Sequence, residues 1–350
     1  MKRNTKTNTL WILISIISLI SVYWLWHEGI IIYSVYTPKN QTFDIILNPV
    51  CTFRQNCQKN LINSLPPCLV GDRKIVFDKK ELLKYNDITN HEQVWPLEIS
   101  NLNKIYNFSD TKNAIIQPQT CKNNVKNKVA IIIPYRNRPE QLRLFLTYMI
   151  PMLIRQEIVF KIYVIEQFGN TTFNRARLLN AGFDISKKEQ KWDCFMFHDV
   201  DLVAENDKNL YHCQENGIPK HYLRAWSKYN YLLRYPKFFG GVVQVTGQVY
   251  TDSNGHSNEY WGWGGEDDDF YERVISRSEF NGIVRPDNKI GRYKMVPHIR
   301  EKSNSVSKDR YHLLENFDDR ENDGMSNLKY KIVESQVNNL FEKVVVNINL

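Results

Sequence analysis

Val129-Ala-Ile-Ile-Ile-Pro-Tyr-Arg-Asn-Arg138 begins as a continuous apolar run and turns polar and cationic after Pro134. A strand without polar/apolar alternation is one buried on both faces, the usual condition in a parallel sheet. Downstream, Pro139 suits a first helical turn, and Leu142, Phe145, Leu146, Met149 and Leu153 recur at helical spacing. Ile162 to Ile165 reads as a second strand, Ala176 to Gly182 as part of a short helix, and Cys194 to Phe197 as a third strand. This β-α-β-α-β alternation predicts an α/β fold whose ligands bind beyond the carboxyl ends of parallel strands. The segments falling there are Pro134 to Arg138 and His198-Asp-Val-Asp201, the two most polar stretches nearby.

At 350 residues and 42% hydrophobic content the chain can build a sizeable core, which excludes wholesale disorder. Its formal charge of +8 suits an anionic partner, but the Lys and Arg residues are scattered singly, so no nucleic-acid partner is expected. Leu10 to Trp26 is an uncharged apolar run preceded by Lys2, Arg3 and Lys6. Its length and basic flank predict a signal-anchor helix over 10–32, a cytosolic tail over 1–9, a luminal stem over 33–65 and a luminal domain over 66–350. A cleaved signal peptide ranks second, because Tyr23, Trp24 and Trp26 stand where cleavage needs small residues. Six cysteines and the sequons at Asn40, Asn107 and Asn170 agree with an oxidising lumen.

Asp199 and Asp201 flank Val200, so an extended segment would project both carboxylates to one side and the valine to the core. Two such oxygens can hold a hard divalent ion, which would neutralise a diphosphate. Tyr260-Trp-Gly-Trp-Gly-Gly265 runs into Glu266-Asp-Asp-Asp269. Aromatic rings offer faces for sugars, and glycines let backbone approach a ligand. Crowded acids raise one another's pKa, which favours a carboxylate basic enough to take a proton from a sugar hydroxyl. The plainer account is a solvated loop, or the first turn of a helix starting near Phe270. Met295 and His298 form a poor metal signature on chemistry alone.

Taken together, Ile131 to Arg138, Phe173 to Phe183, Asp199-Val-Asp201, Phe239-Gly-Gly241, Trp261-Gly-Trp-Gly-Gly-Glu-Asp-Asp-Asp269 and Met295-Val-Pro-His298 resemble the β-1,4-galactosyltransferase family, glycosyltransferase family 7. The resemblance runs in the family's order from about Cys68 to the C-terminus, through Asp323-Gly324 and two strand-like closing segments. It implies an α/β fold of GT-A type, a Rossmann-like nucleotide-sugar-binding fold in a single catalytic domain behind the N-terminal membrane anchor. It also implies Mn²⁺, UDP-galactose as donor and a terminal GlcNAc or glucose of a glycoprotein or glycolipid as acceptor. A single-pass type II protein of the Golgi membrane, with a stem able to form a homodimer, goes with that assignment.

Residue by residue, the resemblance makes Asp201, Met295 and His298 the metal ligands. The donor would meet Pro134, Tyr135, Arg136, Asn137 and Arg138, then Phe173, Asn174 and Arg175. Asp199, Val200, Asp201, Gly241, Trp263, His298, Ile299 and Arg300 would complete that site. Gly265, Glu266, Asp267 and Asp268, with Arg310 and Tyr311, would line the acceptor site. Asp267 would be the base, and Asp269 is expected to face solvent or cap the next helix. The family pattern pairs Cys68 with Cys121 and Cys194 with Cys213, leaving Cys51 and Cys57 to each other or to another chain.

Phe238 stands where the family commonly has Tyr, beside the donor's C2 substituent, so UDP-GalNAc remains an alternative donor. Val296-Pro297 between the metal ligands and Tyr311 in place of Phe bear on metal exchange and acceptor choice. The competing readings are a glycoside hydrolase, which needs neither Asp-x-Asp nor the Met/His pair, and a non-catalytic luminal glycan-binding protein, which needs no base.

Overall fold

The computed structural model describes residues 31–36, 42–47, 112–117, 127–277, 280, 282–298, 304–315 and 321–350. The chain divides into two units, 1–58 and 59–350. In the first, β1 (Ile31–Tyr36) pairs antiparallel with β2 (Thr42–Leu47). Residues 31 and 32 were expected to end the anchor helix but open β1, whereas the rest of both strands falls within the expected stem; the two segments carry β-branched and aromatic residues, which suit paired strands. The apolar run from Leu10 to Trp26 lies outside the described residues, as do Asn40, Asn107, Cys51, Cys57, Cys68 and Cys121. Among the described residues no helix is long and apolar enough to cross a membrane.

The second unit is built on a seven-stranded sheet. β3 (Lys128–Tyr135) lies between β4 (Val159–Gln167) and β5 (Cys194–His198), all parallel. Beyond β5 come β9 (Val242–Val245) and β7 (Lys220–His221), both added antiparallel. At the other edge β12 (Glu342–Asn347) runs parallel to β4, and β11 (Lys331–Val337) turns back along it. These last two are the closing segments after Asp323-Gly324.

The unbroken apolar run of β3 is buried on both faces, as the sequence predicts. Ile131 and Ile133 join the layer under α1 (Pro139–Arg155), and Ala130 and Ile132 join the layer under α2 (Arg175–Glu189). The elements of β4 and α2 run longer than the apolar positions alone suggest, because backbone hydrogen bonding continues past them. A second, three-stranded sheet sets β10 (Arg292–Met295) between β6 (Leu202–Ala204) and β8 (Ala225–Trp226). Three further helices follow, α3 (Gly247–Asp252), α4 (Glu266–Arg277) and α5 (Arg310–Glu315). Cys194, the first residue of β5, is disulfide-bonded to Cys213, the pairing the family resemblance implied.

Gly182 lets α2 sit directly on the sheet. A Cβ there would stand 2.5 Å from Ile132 Cγ2 and 2.8 Å from Ile165 Cγ1, two side chains held in the core. Gly182→Val should therefore lower stability by about 1–3 kcal/mol through overpacking. A denaturation curve checks this, since an unchanged midpoint would mean that the helix does not approach so closely.

Candidate active site

Parallel β3, β4 and β5 deliver their carboxyl ends to one end of the sheet, and the polar segments follow from them. Asn174 opens α2: its side-chain oxygen accepts the Arg177 N–H at 2.9 Å and its amide donates to Asn258 O at 2.8 Å. Asn174 is completely buried, so its side chain is committed to the cap that presents Arg175. Arg175 Nε donates to Asp199 Oδ1 and Nη1 to Asp267 Oδ1, each at 2.8 Å, with Glu266 Oε1 3.7 Å from Nη1. One guanidinium thus joins the turn after β5 to the acidic run at the start of α4.

The electrostatics of this knot are a contest. Burial raises the pKa of Asp267, Glu266 adds to it, and the Arg175 charge opposes both, leaving Asp267 well above the ordinary carboxylate range. Burial likewise pushes up Asp199 and Glu266 against the pull of Arg175. Burial works against the Arg175 cation too, but Asp199, Asp267 and Glu266 outweigh it and hold it charged.

The Asp-Val-Asp segment departs from the extended geometry expected of it. It is a turn, with the Leu202 N–H donating to Asp199 O at 3.3 Å, so the two carboxylates part company. Asp199 goes to Arg175, whereas Asp201 Oδ2 lies 2.9 Å from His298 Nε2. Val200 does point into the core. The Val296 N–H donates to Asp201 O at 2.7 Å, and the pairing of β10 with β6 sets Met295 opposite Leu202. Asp201, Met295 and His298 are therefore gathered at one edge. Among the described residues no group of three or more His, Cys, Asp or Glu side chains is placed to hold a metal. One carboxylate, one imidazole and one thioether leave most coordination positions to other oxygens, which fits a divalent ion shared with an anionic ligand.

The acidic run forms the first turn of α4, reached through Gly264 and Gly265 at φ +104° and +99°, values that only glycine adopts easily. It is not a solvated loop. Asp267 Oδ2 would lie 2.1 Å from a Cβ at position 240, so Gly240 is what admits the carboxylate. Tyr235 OH donates to Asp268 Oδ1 at 2.6 Å. Asp269 overturns the expectation of a solvent-facing residue: it is 2% exposed and paired with Arg273, which also donates to Asp323 O. The helix turns its fourth acid inward, where the buried guanidinium compensates it.

The other predicted residues surround this centre. Arg136 lies over the Phe173 ring at 4.8 Å and donates to Thr171 O at 2.6 Å. Pro134 and Tyr135 end β3, with Asn137 exposed and Arg138 donating to Asn137 O. Gly241 O accepts the Asp199 N–H at 2.9 Å. Trp263 is bonded to the 304–307 segment through Ser305 O and the Ser307 N–H, at 2.8 and 3.1 Å. Arg310 packs on Gly264 and Gly265, and Tyr311 beside it is exposed. Ile299 and Arg300 lie outside the described residues. Asn170 is exposed in the turn after β4. Sequence reasoning missed Tyr235 and Gly240; only the Phe-Gly-Gly motif hinted at the second.

Residues 66–214 match the N-terminal region of glycosyl transferase group 7, and residues 220–299 match the N-terminal domain of galactosyltransferase. β-1,4-Galactosyltransferase 3 of Bos taurus is 43% identical over 233 residues, 66% of this chain and 58% of that protein. β-1,4-Galactosyltransferase 4 of Homo sapiens is 44% identical over 233 residues, 66% of each. The chain thus spans 58% of the bovine relative's length and 66% of the human one's. The catalytic domain of Drosophila β1,4-galactosyltransferase 7, solved with xylobiose, superposes with a TM-score of 0.56 at 28% identity, covering 64% of this chain and 95% of that one. A mutant of that enzyme is solved with manganese, UDP-Gal and xylobiose. The likeness identifies the fold as mixed α/β and GT-A-like.

Asp269→Asn would take from buried Arg273 the carboxylate of its own helix and leave it only that of Asp323, 3.2 Å from Nη2. Removing one partner of a buried pair costs about 3–5 kcal/mol, so the variant should melt well below the parent. A near-neutral melting temperature would return Asp269 to the surface.

Proposed function

The chain belongs to the glycosyltransferase group 7 family of β-1,4-galactosyltransferases, and from that membership we propose that it transfers galactose from UDP-galactose, with inversion, to a terminal GlcNAc or glucose of a glycan. The observation that carries this reading is the Arg175 bridge, which fixes Asp267 by one oxygen beside the Asp-Val-Asp turn. Asp267 Oδ2 makes no hydrogen bond among the described residues, and it lies against Gly240, whose missing side chain makes room for it.

The proposed reaction is a single displacement. Asp267 Oδ2 takes the proton of the acceptor's 4-hydroxyl as that oxygen bonds to the anomeric carbon, and the bond from that carbon to UDP breaks. Its raised pKa, caused first by burial, makes Asp267 a stronger base than a surface carboxylate. Asp201, Met295 and His298 would hold the divalent ion, Mn²⁺ as in the Drosophila relative. When bound, that ion supplies positive charge to the leaving diphosphate. Arg136 and Phe173 offer a cation and a ring face at the donor side. Phe238 is 4% exposed and stacked on Trp226 at 5.9 Å, so it forms a rigid wall beside Gly240. That wall favours galactose over GalNAc. Anchorage by 10–32 in the Golgi membrane, with the catalytic unit luminal, belongs to the same proposal and is supported by the apolar run and by the Cys194–Cys213 disulfide.

Asp267→Asn keeps the size and removes the basicity, so transfer should fall by ~10² to 10⁴ while UDP-galactose still binds. In the parent enzyme kcat/KM should decline as pH falls through the raised pKa of the acidic cluster, above the range of an ordinary carboxylate, because a protonated Asp267 accepts no proton. Near-normal transfer by the variant, or an acid limb at the usual carboxylate pKa, would remove Asp267 from the role.

Phe238→Leu should raise the ratio of GalNAc to galactose transfer by opening the wall. A ratio equal to the parent's, in a competition assay with both donors, would show that Phe238 does not set donor choice.

A further inference from the structure

Cations around this site differ in what holds them. Lys237 is paired with Glu272 at 2.8 Å, Arg292 with Glu205 at 3.8 Å, and Arg175 with three acids. Arg234 is exposed and has no carboxylate partner among the described residues. Its guanidinium carbon lies instead 5.3 Å from the ring centroid of Trp263, 5.4 Å from that of Tyr235 and 5.9 Å from that of Tyr229. Lys228 is held the same way, 5.2 Å from Trp226 and 5.9 Å from Tyr229. Arg310, packed on Gly264 next to Trp263, donates to Ser307 O and Tyr311 OH and pairs with no acid among the described residues.

Aromatic faces fix the position of a guanidinium without neutralising it, and its planar N–H fork remains able to bind an oxyanion. The Tyr235 that supports Arg234 also donates to Asp268, so the cation is tied to the acidic run through a ring rather than an ion pair.

We propose that Arg234, assisted by Lys228 and Arg310, is an anion subsite at the acceptor side of Trp263, which selects acceptor saccharides carrying an oxyanion close to the sugar that receives galactose. A sulfate ester on the terminal sugar and the carboxylate of an adjacent uronic acid share that chemistry. The inference rests on the galactosyltransferase reading above. Because the subsite faces solvent, its effect is moderate and screened by salt.

The test measures kcat/KM of the full chain with UDP-galactose against three acceptors: a neutral GlcNAc glycoside, its 6-O-sulfated counterpart, and a GlcNAc-terminated disaccharide whose second sugar is a uronic acid. At low salt at least one charged acceptor should be favoured by about three- to tenfold, and added salt should shrink the preference. Which charged acceptor gains identifies whether the oxyanion sits on the terminal or the second sugar. Arg234→Gln should bring the ratio close to one, and Arg234→Lys should keep part of it. The proposal is overturned if the neutral acceptor is used as well as both charged ones, or if the preference survives Arg234→Gln. It is also overturned if Arg234→Gln raises the KM for UDP-galactose with the acceptor ratio unchanged, since Arg234 would then serve the donor. Absence of galactose transfer to all three acceptors by the parent enzyme would overturn the galactosyltransferase reading itself.

Discussion

The site depends on one guanidinium. Asp199, Glu266 and Asp267 come from segments more than sixty residues apart in sequence, and each is raised in pKa by burial. Without Arg175 between them they would stay protonated or push the two segments apart. With it, the Asp-Val-Asp turn and the start of α4 are held in fixed relation, and Asp267 keeps one oxygen bonded and one open. The helix dipole adds to this, since the acids occupy the first turn of α4, where the unpaired backbone N–H groups point.

A buried polar frame keeps that knot in register. Asn180 donates to His256 O and to Asn258 Oδ1, and Asn258 donates in turn to Gly324 O and Asn327 Oδ1. Arg273 ties α4 to Asp323 in the same C-terminal segment. Burial this deep requires that every polar group find a partner, so such a network specifies one arrangement. On the opposite side His221 Nε2 donates to Gly240 O at 2.9 Å while Nδ1 accepts from Arg285 at 3.0 Å. Burial pushes the His221 pKa down to about 3, so the ring stays neutral and can do both. Arg285 also donates to Phe238 O, so this pair sets the turn against which Asp267 rests.

Around the centre, charge is layered. The acids lie inside, bonded to Arg175, Arg273 and Tyr235, while Arg234, Lys228 and Arg310 are spread over aromatic rings further out. The 304–307 segment bonded to Trp263 brings Arg310 to that outer layer. A single ring, Trp263, thereby links backbone closure on one side to an unpaired cation on the other.

The local pattern determined much of this protein. The uninterrupted apolar run of β3 specifies a strand buried on both faces, Pro139 and the helical spacing after it specify α1, and the polar segments beyond the strand ends are legible beside them. Those features are short-range, because strand burial and helix periodicity are written in neighbouring residues. Partners were not legible in the same way. That Asp199 would bond to Arg175, that Asp269 would turn inward, and that Gly240 would admit Asp267 all depend on contacts between distant segments, whereas the meeting of Asp201 with His298 was expected from the family resemblance alone. Two aspartates flanking Val200 read as a matched pair along an extended strand; once the chain turns there, the backbone aims them apart. Only the packed tertiary structure decides that direction, because burial and the nearest opposite charge, not sequence spacing, choose where each carboxylate goes.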